Sequence, residues 1–572
     1  MKFKLKSILK NIPLIFTNYP GLIFIFTVAV IIITYQRLNF GVIFTDEAFY
    51  VAIPYRFALG DKPFIDELNL VQTSSLLTYP FIKFYIWLTG SIDGIILFMR
   101  RLWLVFTFLV SGSIFLALKN NLKQQTALII SLTSIAFMPF VIPSLSYNTL
   151  GSGFFTTGCF LGLWVVLKSK NPRYLFFSGL SHGLAIIAYP TLLIPSILFL
   201  SIILFSLPIK KTQGFLGYCS GGLLIVLFLL PTFVNAGLYN LRACFDHMIS
   251  IGVQGGGTAK IIKIINDLWN NYPNKILSLF VLLSIFIGFK TKLTFLKYTL
   301  FLIPLILIKL VRFQDHSASM RYISYYALLA PYFLLFIRNN KFTKRLFYCI
   351  WIPSFVAGAV TAWNSGNGYK NAAIGLFPAS LVTSVFLVIL FKKISLKRKS
   401  QLHIFLPIIM VSILLFFQYS AVYEDNKIIK LNTKVNFGPY KGLYTTKAKN
   451  KYMYDLFLDI KTIAGSDDER ILVYDNFPAG YLFTSMRPAI DTVWPRSMSR
   501  FPNMNRQDTI DYYQKSNIKP DVAIKIKKRF IRENYILDLV YVKNDPINNK
   551  IEGPEYKEVL SRENYTIYKN QP

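Results

Sequence analysis

Residues 44–57, Phe-Thr-Asp-Glu-Ala-Phe-Tyr-Val-Ala-Ile-Pro-Tyr-Arg-Phe, follow the first hydrophobic run of the chain and carry two adjacent carboxylates, Asp46 and Glu47. Ionised groups beside hydrocarbon are costly, and water, a partner or a task keeps them there. Phe49, Ile53 and Phe57 recur every four residues, as on one face of a helix. A second helical pattern runs from Ser74 to Leu88, with Leu77, Phe81, Phe84 and Tyr85, and Gly60, Asp61 and Pro63 form the turn between the two. Both helices are expected to lie flat in a membrane interface. The loop, residues 37–93, reads as the mouth of a site held at the lipid surface.

The rest of the chain supplies that surface. Its 572 residues are 53% hydrophobic and 16% aromatic, with a mean hydropathy of +0.45, too apolar for an ordinary soluble domain. Apolar runs of roughly 17–25 residues recur and read as membrane helices. The net charge of +34 does not signal nucleic acid, because the lysines cluster in short loops between apolar runs. Lys2, Lys4, Lys6 and Lys10 keep the N-terminus in the cytoplasm, so the first run is a signal-anchor and the Asp46 loop lies outside. Alternating loop charge then gives about thirteen spans, the last ending near Tyr419. A seventh span is expected to end near Val234 and to open an outer segment from Asn235 to Asn274. Arg100 and Arg101 are expected at headgroup level.

The odd number of spans puts the tail on the side of Asp46. Residues 1–420 read as a membrane module and residues 421–572 as a soluble α/β domain. In the tail, strand-like runs at residues 471–475 and 537–542 alternate with helical stretches such as Tyr452 to Ile463. The fold class is an α-helical polytopic membrane protein with a C-terminal soluble α/β domain. Cys159, Cys219, Cys244 and Cys349 form no CxxC pair and indicate neither a disulfide framework nor a zinc site. Asn476 to Pro488, NFPAGYLFTSMRP, is the tail's most distinctive stretch and reads as a packed turn.

Few residues on the outer side can carry chemistry. Thr45 as an N-cap, with two acids at the positive end of a helix, would explain Asp46 and Glu47 structurally. A functional reading makes one acid a general base, or an anchor for an acceptor amine or a metal; a positioned base is typically worth about 10²–10⁴-fold. Arg321 is either a snorkelling arginine or a clamp on a lipid phosphate, which a guanidinium fork fits. Lys370, in the glycine-bearing loop Asn364 to Asn371, suits the same anion. Tyr147 and Asn148 open the fourth span on that side, where the asparagine needs a partner from substrate or from a neighbouring helix. His247 and His316, in outer loops, are weak candidates for a metal.

These pieces resemble the GT-C glycosyltransferases, in particular the branch with the protein O-mannosyltransferases and the lipid A aminoarabinose transferase. The resemblance rests on Asp46-Glu47 with Tyr50, the flat helices, the Gly60-Asp61-Lys62-Pro63 turn, Arg321-Tyr322 with Pro331, and many spans ending in an outer domain. It implies a polyprenyl-phosphate-linked sugar as donor and transfer, usually with inversion, to a lipid, glycan or protein acceptor on the outer face of a plasma (inner) membrane. By that resemblance Asp46 is the base, Glu47 its catalytic neighbour, and Arg321 or Lys370 holds the departing phosphate. Tyr50, Gln72, Tyr147, Asn148 and Tyr322 line the substrate side. No cofactor is fixed, and a divalent metal stays open. Two departures stand out: Gln72-Thr73-Ser74 replaces a proline-bearing triplet of many relatives, and Asn148 stands where several carry a second acid. Other readings are a polymerase or ligase for pyrophosphate-linked glycans, and a transporter or flippase, although no internal repeat supports the last.

Overall fold

The computed structural model describes residues 20–169, 171–206, 210–252, 261–262, 264–266, 316–335, 337, 340–395, 402–463, 465, 469–474, 476–495, 507–516, 518–539 and 545–571. Among them, six helices are long and apolar enough to cross a membrane: Pro20–Arg37, Ile95–Leu118, Tyr147–Ser169, Lys211–His247, Lys341–Asn364 and Gly368–Lys392. Pro190–Ser206 and Ile404–Ser420 are shorter apolar helices. The expected eighth and ninth spans lie outside the described residues.

Three expectations change. The third run breaks at Leu132 into the helices Gln124–Ser131 and Thr133–Ala136, followed by a tight turn at Pro139–Val141. The helix expected to stop near Val234 runs on to Gly252, with one non-helical residue at Gly237, so much of the expected outer segment is helix. In the first loop, the helix Asp46–Ala58 is buried at every position from Glu47 to Phe57, so it is enclosed by protein and does not lie against lipid. The helix Gln72–Thr89 keeps Phe81, Phe84, Trp87 and Leu88 exposed, as an interfacial helix would.

Glycines set the tightest helix crossing. A Cβ on Gly179 would stand 1.9 Å from the carbonyl oxygen of Tyr218, and one on Gly221 would stand 2.1 Å from that of Phe176. The helices Leu175–Ala188 and Lys211–Gly252 therefore touch backbone to backbone, as small residues permit inside membranes.

The tail holds a five-stranded sheet, in spatial order Arg487–Pro488, Arg470–Tyr474, Val522–Ile526, Tyr565–Asn570 and Tyr556–Ser561. The first three strands are parallel, and the last two add on antiparallel. The helix Lys447–Ile463 buries Tyr452, Met453, Leu456 and Ile460. The domain is fastened to the first loop. Tyr55 Oη donates to the carbonyl of Thr484 at 3.1 Å, the Leu68 amide to that of Asp491 at 2.8 Å, and the Ala479 amide to that of Phe44 at 3.2 Å. The Asn476–Pro488 stretch is thus a docking turn as well as a packed one.

A buried ionic cluster reinforces this contact. Arg56 reaches Asp61 at 2.7 Å and Glu67 at 3.2 Å, and Arg470 of the sheet reaches the other oxygen of Asp61 at 3.4 Å. Burial raises the Glu67 carboxyl above its usual range, with Arg56 pulling it partly back. Gly60, at φ +106°, supplies the left-handed residue that turns the chain into this cluster.

Candidate active site

The site begins with an ion pair. Arg100, in the second span, is fully buried and grips Glu47 with both faces of its fork, Nε to Oε1 at 2.7 Å and Nη2 to Oε2 at 2.6 Å. Its remaining hydrogens go to the carbonyls of Leu38 at 2.7 Å, Phe40 at 3.0 Å and Gly41 at 2.8 Å. Arg100 is therefore not a headgroup arginine; Arg101 is exposed, as expected for one. A buried carboxylate so fully used in one pair acts as an anchor. Glu47 fixes the segment that leads to Asp46.

Asp46 is half-buried at the N-terminus of its helix, where the macrodipole favours a negative charge. Thr45 makes no side-chain cap; its hydroxyl donates to Glu424 Oε2 at 2.6 Å. Three tyrosines gather here. Tyr423, just past the last span, carries a hydroxyl that feels the charge of Asp46. Tyr50, one turn along from Asp46, lies edge-on to Tyr147 with ring centroids 5.9 Å apart. Burial, then Tyr147, then Asp46 push the Tyr50 hydroxyl well above its usual range, and burial, then Asp46, do the same for Tyr423. Both hydroxyls remain neutral near the carboxylate.

The other predicted residues fall into two groups. Tyr147 packs on Tyr189 at 5.6 Å, and Tyr189 lies near the side chains of Asn371 and Asn364, at the ends of the loop that holds Lys370. Lys370 itself is half-buried on a 3-10 turn begun by Gly368 at φ +56°. Asn148 is buried, and its Oδ1 has no hydrogen-bond partner among the described residues. Arg321 is buried rather than snorkelling, and its Nη1 donates to Ser317 Oγ at 3.1 Å. His316, the residue before Ser317, lies edge-on to Tyr423 at 4.8 Å.

Gln72 and Tyr322 stand apart. The Gln72 side chain closes the first loop on itself, accepting from the Phe64 amide at 2.7 Å and donating to the Glu67 carbonyl at 2.5 Å. Tyr322 stacks on Tyr326 at 5.9 Å and meets Phe417 edge-on at 5.7 Å, among helices. Asp491 accepts from Thr509 at 2.8 Å, and Asp475 lies outside the described residues. His247 is buried on the long helix. No group of three or more His, Cys, Asp or Glu that could hold a metal occurs among the described residues.

No family model matches the chain, and no curated protein matches it. Two solved structures of ArnT from Cupriavidus metallidurans are similar to it in layout. One is bound to undecaprenyl phosphate, with 12% identity, and the other is in the apo state, with 11% identity. Each alignment covers 96% of this chain and 98% of the other, with a TM-score of 0.41.

Sequence reasoning missed Arg100, Tyr423 and Glu424. For Arg100 a signal existed: a guanidinium six residues into an apolar span needs a partner, and Glu47 is an acid on the adjoining loop. Tyr423-Glu424-Asp425 carries no such signal, because the residues it meets are nearly 400 positions away.

Proposed function

We propose that the protein is a membrane glycosyltransferase that moves a sugar from a polyprenyl-phosphate-linked donor to an acceptor on the outer face of the membrane, with Asp46 as general base. One observation carries the reading. Of two adjacent acids, Glu47 is held on both oxygens by the buried Arg100, while Asp46 is half-buried at the N-terminus of its helix, one turn from Tyr50. The motif resemblance of the first loop supports the same assignment. Asp46 takes the proton of the acceptor hydroxyl as its oxygen bonds to the anomeric carbon. The bond from that carbon to the phosphate oxygen breaks, and its electron pair leaves with the lipid phosphate. Arg321, with Lys370, balances the charge that the phosphate gains. Tyr50, Tyr147 and Asn148 face the sugar and acceptor; Gln72 and Tyr322 act by holding the frame. On this reading residues 1–420 are the membrane module and 421–572 an outer domain.

The test is donor turnover. The protein is reconstituted in lipid with a panel of polyprenyl-phosphate sugars and an envelope extract, and free polyprenyl phosphate is followed by mass spectrometry. Asp46→Asn is expected to lower release by about 10²–10⁴-fold with an unchanged melting temperature. Full activity in Asp46→Asn sinks the base assignment, and no release from any donor by folded wild type sinks the reaction class.

A further inference from the structure

We infer that the start of the helix Tyr147–Trp164, the turn Pro190–Leu192 and the turn Gly368–Asn371 enclose a subsite for an uncharged, hydroxyl-bearing sugar, and that Thr191 and Asn371 help set its specificity. The inference deepens the glycosyltransferase reading and rests on it. Its basis is a concentration of enclosed polar atoms with nothing to bond to. Ser144 Oγ, Asn148 Oδ1, Thr191 Oγ1 and Asn371 Oδ1 all lack a hydrogen-bond partner among the described residues. Ser144, Asn148 and Asn371 are buried as whole side chains. An enclosed polar atom without a partner is destabilising, so four in one place call for a ligand that pairs them.

The four atoms belong to residues gathered around one pair of rings. Tyr147 and Tyr189 stand 5.6 Å apart, centroid to centroid. Asn148 follows Tyr147 in the first turn of its helix, and the Ser144 carbonyl accepts from Thr149 of the same turn at 2.8 Å. Tyr189 packs on that helix so closely that a Cβ on Gly151 would stand 2.8 Å from the Tyr189 Cβ. Thr191 lies two residues further on, in the turn Pro190–Leu192. The helix Ile352–Asn364 packs against both this turn and the turn Gly368–Asn371, and its Thr361 hydroxyl lies 3.2 Å from the Asn371 carbonyl. Tyr147, Thr191 and Lys370 are half-buried and form the open edge.

The unpaired atoms define what fits. A carboxamide oxygen only accepts, so its partner must bring a hydrogen, which a phosphate diester and an alkyl chain lack. A serine or threonine hydroxyl donates and accepts. A sugar hydroxyl meets both demands, and the apolar ring faces of the tyrosines suit the C–H face of a pyranose. None of the six residues is charged, and Lys370, the one charged residue of the loop 364–371, is a cation. An ammonium on the sugar would lose its water with no carboxylate among the six to replace it. A site built to bond hydroxyls also rejects a ligand without them, because its own atoms are then left unpaired.

The experiment measures equilibrium binding to the full chain in detergent by native mass spectrometry. The probes are farnesyl phosphate, the same lipid phosphate carrying glucose, mannose or galactose, and its glucosamine counterpart. At least one neutral hexose probe is expected to bind about tenfold tighter than bare farnesyl phosphate and than the glucosamine probe. Asn371→Leu and Thr191→Val are each expected to weaken that probe about fivefold and to leave bare farnesyl phosphate unchanged. Without ligand, both variants are expected to keep or raise the melting temperature, since each removes an unpaired polar atom; a merely structural role predicts a fall. No gain from any neutral hexose, equal binding of the glucosamine probe, or an equal loss for the bare and sugar-bearing probes in the variants overturns the inference, and the first two need no variant to fold. If bare farnesyl phosphate binds and the sugar adds nothing, the subsite falls while the donor class stands. Failure of every probe to bind takes both. Asp46 does not enter the measurement, so failure of the base assignment leaves its result untouched.

Discussion

Arg100→Met removes the pin at the centre of the site. Arg100 makes two bonds to Glu47, at 2.7 and 2.6 Å, and three to carbonyls, at 2.7, 3.0 and 2.8 Å, and both side chains are fully buried. Removing one partner of a buried pair leaves the other charge unpaired, which costs about 3–5 kcal/mol. The double variant Glu47→Leu/Arg100→Met removes both charges and leaves only the three carbonyls wanting donors. It is expected to be more stable than Arg100→Met alone by about 1–4 kcal/mol. Glu47→Leu alone leaves the guanidinium buried without its carboxylate and is expected to cost about 3–5 kcal/mol as well. The assay is thermal unfolding in detergent for the four proteins of the cycle, where Arg100→Met is expected to melt roughly 5 °C or more below wild type. A double variant that loses at least the sum of the two single losses would show that the two side chains act independently, and the anchor argument would fail.

Three further outcomes follow from the same coordinates. Gly41 sits at φ +92°, and a Cβ there would stand 2.4 Å from Val422 Cγ1, so Gly41→Ala is expected to cost about 1–3 kcal/mol in unfolding. Gly179→Leu forces apart the helices Leu175–Ala188 and Lys211–Gly252, and a drop of several degrees in melting temperature is expected where a surface leucine would give none. Burial lowers the Lys449 ammonium below its usual 10.5, with Asp425 and Glu424 pulling it partly back. The unfolded chain then binds more protons than the folded one, so this group makes stability rise as pH climbs from the folded value toward 10.5, and Lys449→Met is expected to flatten that slope in denaturation curves.

The spans that were legible are those whose signal is local. Pro20–Arg37, Ile95–Leu118 and Gly368–Lys392 follow from hydropathy and loop charge, and the helix Lys447–Ile463 and the strand Arg470–Tyr474 follow from short-range pattern. The first-loop helices were legible as helices but not in their surroundings. The apolar face of Phe49, Ile53 and Phe57 is equally apt for lipid or for protein; Phe49 stacks on Trp494 of the tail at 4.3 Å, and Phe57 meets Tyr79 of the next helix edge-on at 6.5 Å. Gln72 looked like a substrate group because it stands in a motif position; that its amide closes a loop depends on where Phe64 and Glu67 point, which no spacing reveals. The break at Leu132 was hidden because a broken apolar run and a continuous one have the same hydropathy.

The long reach of the contacts around Asp46 has a consequence for how the protein is made. Arg100 meets Glu47 across 53 residues, so that pair is within reach once two spans have left the ribosome. Val42 waits 383 residues for Asp425, and Tyr55 waits 429 for Thr484. A nascent chain halted at residue 420 holds Glu47 and Arg100, with Tyr50 and Tyr147, but lacks the partners of Val42, Thr45 and Tyr55 that lie beyond it. The surroundings of the stretch from residue 42 to residue 55 are completed only with the last quarter of synthesis.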